Sequence, residues 1–210
     1  MNTLKLKLLA ASLFACSAAF AQTPRTTPYD LGTAPGPNNG VGASTSRSTS
    51  ARGVSFTNDS YVLQNGPSQY AKVDQSGGGA GNSADIIQNL ANDPSDFGMD
   101  ATQTQIHSGT AGRNKAFARQ DGDRSVSIQY QQGGGNTGNV YQDDEDFNYA
   151  TQSQIGDNNR AGITQNSGDN YAKQTQQGNN NYATTQQQNY ASSSTIAQTG
   201  NMNTAIVSQR

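Results

Sequence analysis

The last third of this chain, residues 148–210, repeats itself every eleven residues, with glutamines at Gln154, Gln165, Gln176, Gln187, Gln198 and Gln209 without a slip. In a typical unit a Gly follows the Gln by two positions, an Asn by five and an Ala by seven, as in Gln154, Gly156, Asn159, Ala161 and then Gln165. The final unit runs Gln198, Gly200, Asn203, Ala205, Gln209. A fixed short period points to a solenoid, in which each unit buries its face only against the units before and after it.

The spacing within a unit fixes which residues share a face. Strand side chains alternate sides with period two, so one face of successive strands reads Asn148, Ala150, Gln152, Gln154; then Asn159, Ala161, Ile163, Gln165; then Asn170, Ala172, Gln174, Gln176. The next three read Asn181, Ala183, Thr185, Gln187; Ser192, Ser194, Ile196, Gln198; and Asn203, Ala205, Val207, Gln209. This regular face is read as inward. The opposite face carries Tyr149, Arg160, Tyr171, Tyr182 and Thr204 at one position, with Lys173 and Ile206 elsewhere, and varies as a solvated face does. Its tyrosines are expected to stack on one another.

After each Gln come residues that accept tight turns at little cost, among them the turn glycines Gly156, Gly178 and Gly200. Each unit is therefore a short strand and a turn, and two units make one flattened coil. The period alone does not exclude a three-sided coil. An interior of Asn, Gln, Ala and Ser is costly if its amides go unsatisfied, by about 1–3 kcal/mol each. Stacking removes that cost, because like amides about 4.8 Å apart can donate one to the next. The residues expected in such ladders are Asn148, Gln154, Asn159, Gln165, Asn170, Gln176, Asn181, Gln187, Gln198, Asn203 and Gln209.

Upstream, residues 58–147 hold the same array in degenerate form. Asn58, Ser60, Val62 and Gln64 make a first inward row, followed by Ala71 and Gln75, then Asn82, Ala84, Ile86 and Gln88 after a glycine-rich insert. Ala101 and Gln105 follow a longer insert containing Pro94, and Asn114, Ala116 and Gln120 another. The spacing holds through Gln131 and Gln142 and slips by one residue across Asp143 to Asp146. About thirteen strands, six to seven two-strand coils and no helix are expected in the mature chain.

Composition agrees with this all-β class. Of 210 residues only 31% are hydrophobic and 13% charged, with no Trp, so neither a large apolar core nor charge-rich disorder is indicated. The Gln/Asn/Gly/Ser-rich remainder is the class prone to β-assembly. A net charge of −2 offers no basic footprint for nucleic acid.

The first 21 residues read as a secretory signal peptide: Lys5 and Lys7, an apolar run from Leu8 to Phe14, and a small-x-small site at Ala19 and Ala21 before Gln22. The run is too short for a stable membrane insertion. A rival reading lipidates Cys16, but Phe14 fits that site badly. Residues 22–57, with Pro24, Pro28, Pro35 and Pro37, read as a flexible leader.

No constellation speaks for an enzyme, a cofactor or a metal. His107 is the only histidine and reads as a solvated loop residue in an insert. Asp143, Asp144, Glu145 and Asp146 lack the spacing and Gly of a calcium loop and read as a solvated, repulsive turn. Gly77 to Gly79 and Gly133 to Gly135 lack the Lys and Ser/Thr of a phosphate loop and read as insert or turn glycines.

The pattern Gln-x-Gly-x-x-Asn-x-Ala-x-x-x-Gln closely resembles the curlin repeat of bacterial curli subunits. It is near complete in Gln154 to Gln165, Gln176 to Gln187 and Gln198 to Gln209. Gln165 to Gln176 departs by Ser167 in the Gly place, and Gln187 to Gln198 by Asn189, Ser192 and Ser194. The resemblance implies a secreted structural subunit that polymerises into surface amyloid fibres serving adhesion and biofilm matrix. It implies as partners further copies of the chain, a companion subunit or nucleator, and an outer-membrane secretion channel, which would read the segment after the signal peptide. Whether the chain resembles the major subunit or the nucleator stays open. The alternative is a monomeric, capped β-solenoid that binds carbohydrate or ice.

Overall fold

The structure, a computed structural model, describes residues 58–65, 69–89, 98–143 and 147–210. The signal peptide with Ala19, Ala21 and Gln22, Cys16, the leader, Pro94 and residues 144–146 lie outside the described residues.

Thirteen strands follow one another among the described residues: β1 (Asn58–Asn65), β2 (Tyr70–Gly77), β3 (Asn82–Asn89), β4 (Asp100–His107), β5 (Asn114–Gln120), β6 (Val126–Gly133), β7 (Thr137–Gln142), β8 (Tyr149–Ile155), β9 (Arg160–Gln165), β10 (Tyr171–Gln177), β11 (Tyr182–Gln187), β12 (Ser193–Thr199) and β13 (Thr204–Gln209). No helix occurs among the described residues. Odd-numbered strands form a seven-stranded sheet, here sheet A, in the order β1-β3-β5-β7-β9-β11-β13, and even-numbered strands a six-stranded sheet B in the order β2-β4-β6-β8-β10-β12. The coil is therefore two-sided, a β-solenoid in which each strand of one sheet serves as the crossover between two strands of the other.

All pairings are parallel and in register. Gln75 pairs with Gln105, Gln105 with Gln131, and Gln131 with Gln154, although the insertions between them differ in length. The insertions fall between strands and leave the register of the strands untouched. The one-residue slip before β8 is absorbed in the same way: Phe147 takes φ 62° and lies under the Arg124 guanidinium, 4.6 Å from the ring centroid, while Val126 still faces Tyr149.

Burial alternates as the spacing requires, as in β5, where Asn114, Ala116, Ala118 and Gln120 are buried and Lys115 and Arg119 exposed. The interior has two kinds of layer. Ile86, Ala118, Val140 and Ile163 of sheet A form an apolar column, and Gln103, Gln129, Gln152 and Gln174 of sheet B a polar one. The apolar column supplies burial energy at about 25 cal/mol per Å², and the polar one supplies register, because an amide out of step loses its partner.

Candidate assembly interface

The glutamine columns are continuous hydrogen-bonded ladders, and all of them point the same way. In sheet A, Gln64 Nε2 donates to Gln88 Oε1, and the chain of donation runs on through Gln120, Gln142, Gln165 and Gln187 to Gln209, at 2.8–3.0 Å per step. In sheet B the ladder runs from Gln75 through Gln105, Gln131, Gln154 and Gln176 to Gln198. Beyond Gln64, the second N–H of Nε2 crosses to the other sheet: Gln165 donates to Tyr149 O at 3.2 Å, Gln176 to Arg160 O at 3.1 Å and Gln187 to Tyr171 O at 3.0 Å. Each interior amide of these columns is thus satisfied, and each clamps the two sheets together.

The asparagines form the expected amide ladder in part, as from Asn203 through Asn181 to Asn159, and add backbone bonds to it. Asn159, Asn181 and Asn203 each donate their backbone N–H to Oδ1 of the preceding Asn (Asn136, Asn159 and Asn181) at 3.0 Å. Their side-chain amides close the turns. Asn136, Asn159 and Asn181 donate Nδ2 to the carbonyls of Gly156, Gly178 and Gly200, each at 2.7 Å. Amide-to-amide contact persists only in part, as from Asn181 Nδ2 to Asn159 Oδ1 at 3.1 Å. The shorter Asn side chain starts its strand beside the turn, so backbone groups are its nearest partners. In sheet B, Asn148 Oδ1 accepts from Asn170 N and Asn170 Oδ1 from Ser192 N.

The same turns explain their glycines. Gly156, Gly178 and Gly200 have φ of 112°, 117° and 105°, a region that L side chains avoid. A Cβ at Gly156 would sit on the carbonyl oxygen of Gly178, and one at Gly178 on that of Gly200. One residue on, Asp157 Oδ1 accepts from Gly134 N, Asn179 Oδ1 from Asp157 N and Asn201 Oδ1 from Asn179 N at 2.7–2.8 Å, a further ladder along the outside of the turns.

Three expectations from the sequence need correction. His107 is not solvated: it ends β4, is 3% exposed, and stands between Gly77 and Gly133 in the column of turn glycines. Nine positions separate Gln105 from Asn114, against five between Gln131 and Asn136. The extra residues fold back over the ring, which contacts Ala111 O through Nε2 at 3.2 Å while Nδ1 is buried without a partner. Gly77 likewise ends β2 rather than belonging to the insert. The outward tyrosines stack only within one sheet. Tyr149 and Tyr171 of sheet B lie parallel with centroids 5.3 Å apart, whereas Tyr182 belongs to sheet A on the opposite side. Burial, and secondarily the neighbouring Tyr171, raises the pKa of Tyr149 above the ordinary phenol value.

Among the described strands, sheet edges lie at the two ends. Strands β1 and β2 are the edges of their sheets at one end and β13 and β12 at the other. The inward row of β13, Asn203, Ala205, Val207 and Gln209, is half-exposed, and beside it Ile206 is 69% exposed and Met202 79%. The ladders end with complementary groups. Gln64 and Gln75 keep an Oε1 that accepts from no described residue, while Gln198 and Gln209 each use one N–H, to Tyr182 O and Ser193 O, and have a second to give. Asn203 Oδ1 is an acceptor with no donor among the described residues, in the place where every earlier Asn of sheet A receives one.

Away from the ends, an open polar groove on the outside of sheet A is lined by Thr137, Asn158, Arg160, Asn180 and Tyr182. Among the described residues no three of His, Cys, Asp and Glu are grouped so as to hold a metal ion, and no helix is long and apolar enough to cross a membrane. Comparison with known proteins finds no matching family model, no matching curated protein and no matching solved structure.

Proposed function

We propose that this chain is a secreted structural subunit that self-assembles end to end into curli-like amyloid fibres for adhesion and biofilm matrix. The observation that carries the reading is the matched polarity of the two ends. Set β1 of one copy on β13 of another, and Gln209 Nε2 meets Gln64 Oε1 while Asn58 N–H meets Asn203 Oδ1, each in the direction its ladder already runs. The rows agree in kind as well: Ala205 on Ser60, Val207 on Val62, and outward Ile206 on Tyr61. A tail-to-tail contact would oppose Gln209 donors to each other. Open parallel edges template strand addition, and the repeated identity of inward residues is what stacked copies need. Assembly with a companion nucleating subunit and export through an outer-membrane channel belong to the same reading.

The test is incubation of the purified chain lacking residues 1–21, followed by thioflavin fluorescence, electron microscopy and fibre diffraction. Fibres with a meridional reflection near 4.7–4.8 Å are expected. A protein that stays monomeric at high concentration would refute self-assembly and favour the capped binding module instead.

A further inference from the structure

The open groove outside sheet A has a volume of about 320 Å³, at the low end of the range of about 300–1,000 Å³ for small-ligand sites. The register builds it from two columns: Gly135, Asn158 and Asn180 in the turns, and Thr137, Arg160 and Tyr182 at the first outward position of β7, β9 and β11. In the turn column Gly135, Asn158, Asn180 and then Met202 all take left-handed φ of 58–70°. Asn tolerates that conformation well, but Met202 holds it too, so the turn geometry does not by itself require an amide. The column passes from a glycine to an apolar side chain, and its two amides are confined to the rungs between. Those amides are also free. One residue earlier, Asp157, Asn179 and Asn201 each use Oδ1 to accept a backbone N–H of the preceding coil. The side chains of Asn158, Asn180, Thr137, Tyr182 and Arg160 bond to no described residue.

We propose that this groove binds an acidic glycan, with a uronate carboxylate on Arg160 and sugar hydroxyls on Asn158, Asn180 and Thr137. Arg160 is exposed and has no acidic partner among the described residues, and its planar fork can hold a carboxylate through two parallel N–H···O bonds. One rung on, Tyr182 is 37% exposed and offers a ring face to the C–H side of a sugar and a phenolic O–H at its tip. Each free amide carries both donors and an acceptor, the combination that a hydroxyl needs. Along the same column Lys115 is exposed two rungs from Arg160, roughly 10 Å away, with Thr137 between them. It extends the row to a second carboxylate of a glycan lying along the solenoid axis. The acid that flanks the groove, Asp157, has Oδ1 engaged by Gly134 N–H at 2.8 Å. Two cations neutralise too few phosphates for the counterion release that drives nucleic-acid binding, and the neutral hydrogen-bonding groups outnumber them. All of these residues belong to one copy, so the inference stands apart from the self-assembly reading.

The test is fluorescence anisotropy of labelled oligogalacturonate with the freshly purified, soluble chain lacking residues 1–21. Binding is expected. Methyl esterification of the oligomer removes the carboxylate charge and leaves the hydroxyls, and it should weaken binding about tenfold or more, as should Arg160→Gln, since each removes a charge-assisted pair. Asn180→Met copies the residue that holds the same turn position one rung on, and should weaken binding severalfold while the circular dichroism spectrum stays unchanged. Lys173→Ser removes an equal charge on the opposite sheet and should leave affinity as it was. Absence of binding, or equal binding of the esterified oligomer, would overturn the proposal. Equal losses for Arg160→Gln and Lys173→Ser would also overturn it, by showing diffuse attraction without a site. A single-stranded oligodeoxynucleotide of the same charge that binds more tightly than oligogalacturonate would assign the groove to nucleic acid instead.

Discussion

Val73 stands directly beside Gln103 in sheet B, and the Oε1 of Gln103 is buried without a donor. The inner glutamine column runs Gln103, Gln129, Gln152, Gln174 with the Nε2 of the first three donating forward, so the side chain before Gln103 should supply an N–H, and that of Val73 has none. At the other end of the column Ile196 offers no acceptor to Gln174, which turns instead to Thr185 Oγ1 at 3.1 Å. Val73→Gln is expected to extend the ladder by one rung. The gain should be about 0.5–1.5 kcal/mol, the net value of a satisfied hydrogen bond, reduced by whatever the valine side chain contributes through its own packing. Chemical denaturation of the soluble protein measures it, and a destabilised variant would contradict the assignment of that orphaned oxygen.

Replacing Gln165 and Gln176 together by Leu removes an acceptor from Gln142 in one ladder and from Gln154 in the other, leaving buried N–H groups unpaired. A cost of about 1–3 kcal/mol per orphaned group is expected, together with markedly slower fibre formation. Lys173→Ser, on the outer face of β10, should change stability by less than about 0.5 kcal/mol. Equal kinetics for the two variants would mean the amides are not ladder partners.

Two glycines in adjacent segments should respond in opposite directions to alanine. Gly156 is held at φ 112° with its missing Cβ directed at the next turn's carbonyl, so Gly156→Ala should destabilise by roughly 1–3 kcal/mol. Gly162 lies within β9, where an added Cβ would meet only Thr184 Cγ2 at 3.8 Å. Gly162→Ala should stabilise by roughly 0.5–1 kcal/mol, because a glycine in a strand loses more entropy on folding. Thermal melts of both variants decide the matter.

The raised pKa of Tyr149 makes stability depend on alkaline pH. The folded state holds the phenolic proton to higher pH than the unfolded state, so this contribution is fully present below the unfolded pKa near 10 and is lost as pH rises through the folded one. Denaturant midpoints should therefore fall above about pH 10, and Tyr149→Phe should flatten that part of the decline. An unchanged slope in the variant would assign the effect to other groups.

The C-terminal coils should nucleate. From Gln174 to Gln209 there is neither a charged residue nor a proline, whereas the coils upstream carry an Arg119–Asp121 ion pair and the exposed acid of β2. Low charge and absent proline favour cross-β growth, and like charges act as gatekeepers. A peptide spanning Gln174 to Arg210 should form fibres and seed the whole chain faster than one spanning Asn58 to Gln120. The reverse order would show that charge is not the controlling variable.

The eleven-residue period and the alternation within it were sufficient, from the sequence alone, for the all-β solenoid, its thirteen strands, their inward rows and the glutamine ladders. Those features follow from local geometry repeated, and a period of two along a strand leaves no choice of face. What Gln176 and Asn181 bond to is another matter. The glutamine donates to its like one rung on, while the asparagine, one methylene shorter and beside a turn, divides its amide between Asn159 Oδ1 and the carbonyl of Gly200. That the coil has two sides was also undecidable from the period, though a trace of it is visible. Full units begin at Gln154, Gln176 and Gln198, and departures such as Ser167 and Asn189 fall in the units between, so the deeper repeat is twenty-two residues, one half for each sheet. The direction of the ladders, the burial of His107 and the orphaned oxygen of Gln103 were decided only in three dimensions. The ladders and the orphaned oxygen depend on what the neighbouring rung presents, more than twenty positions away, and the burial of His107 on how its own longer connection folds back over the ring.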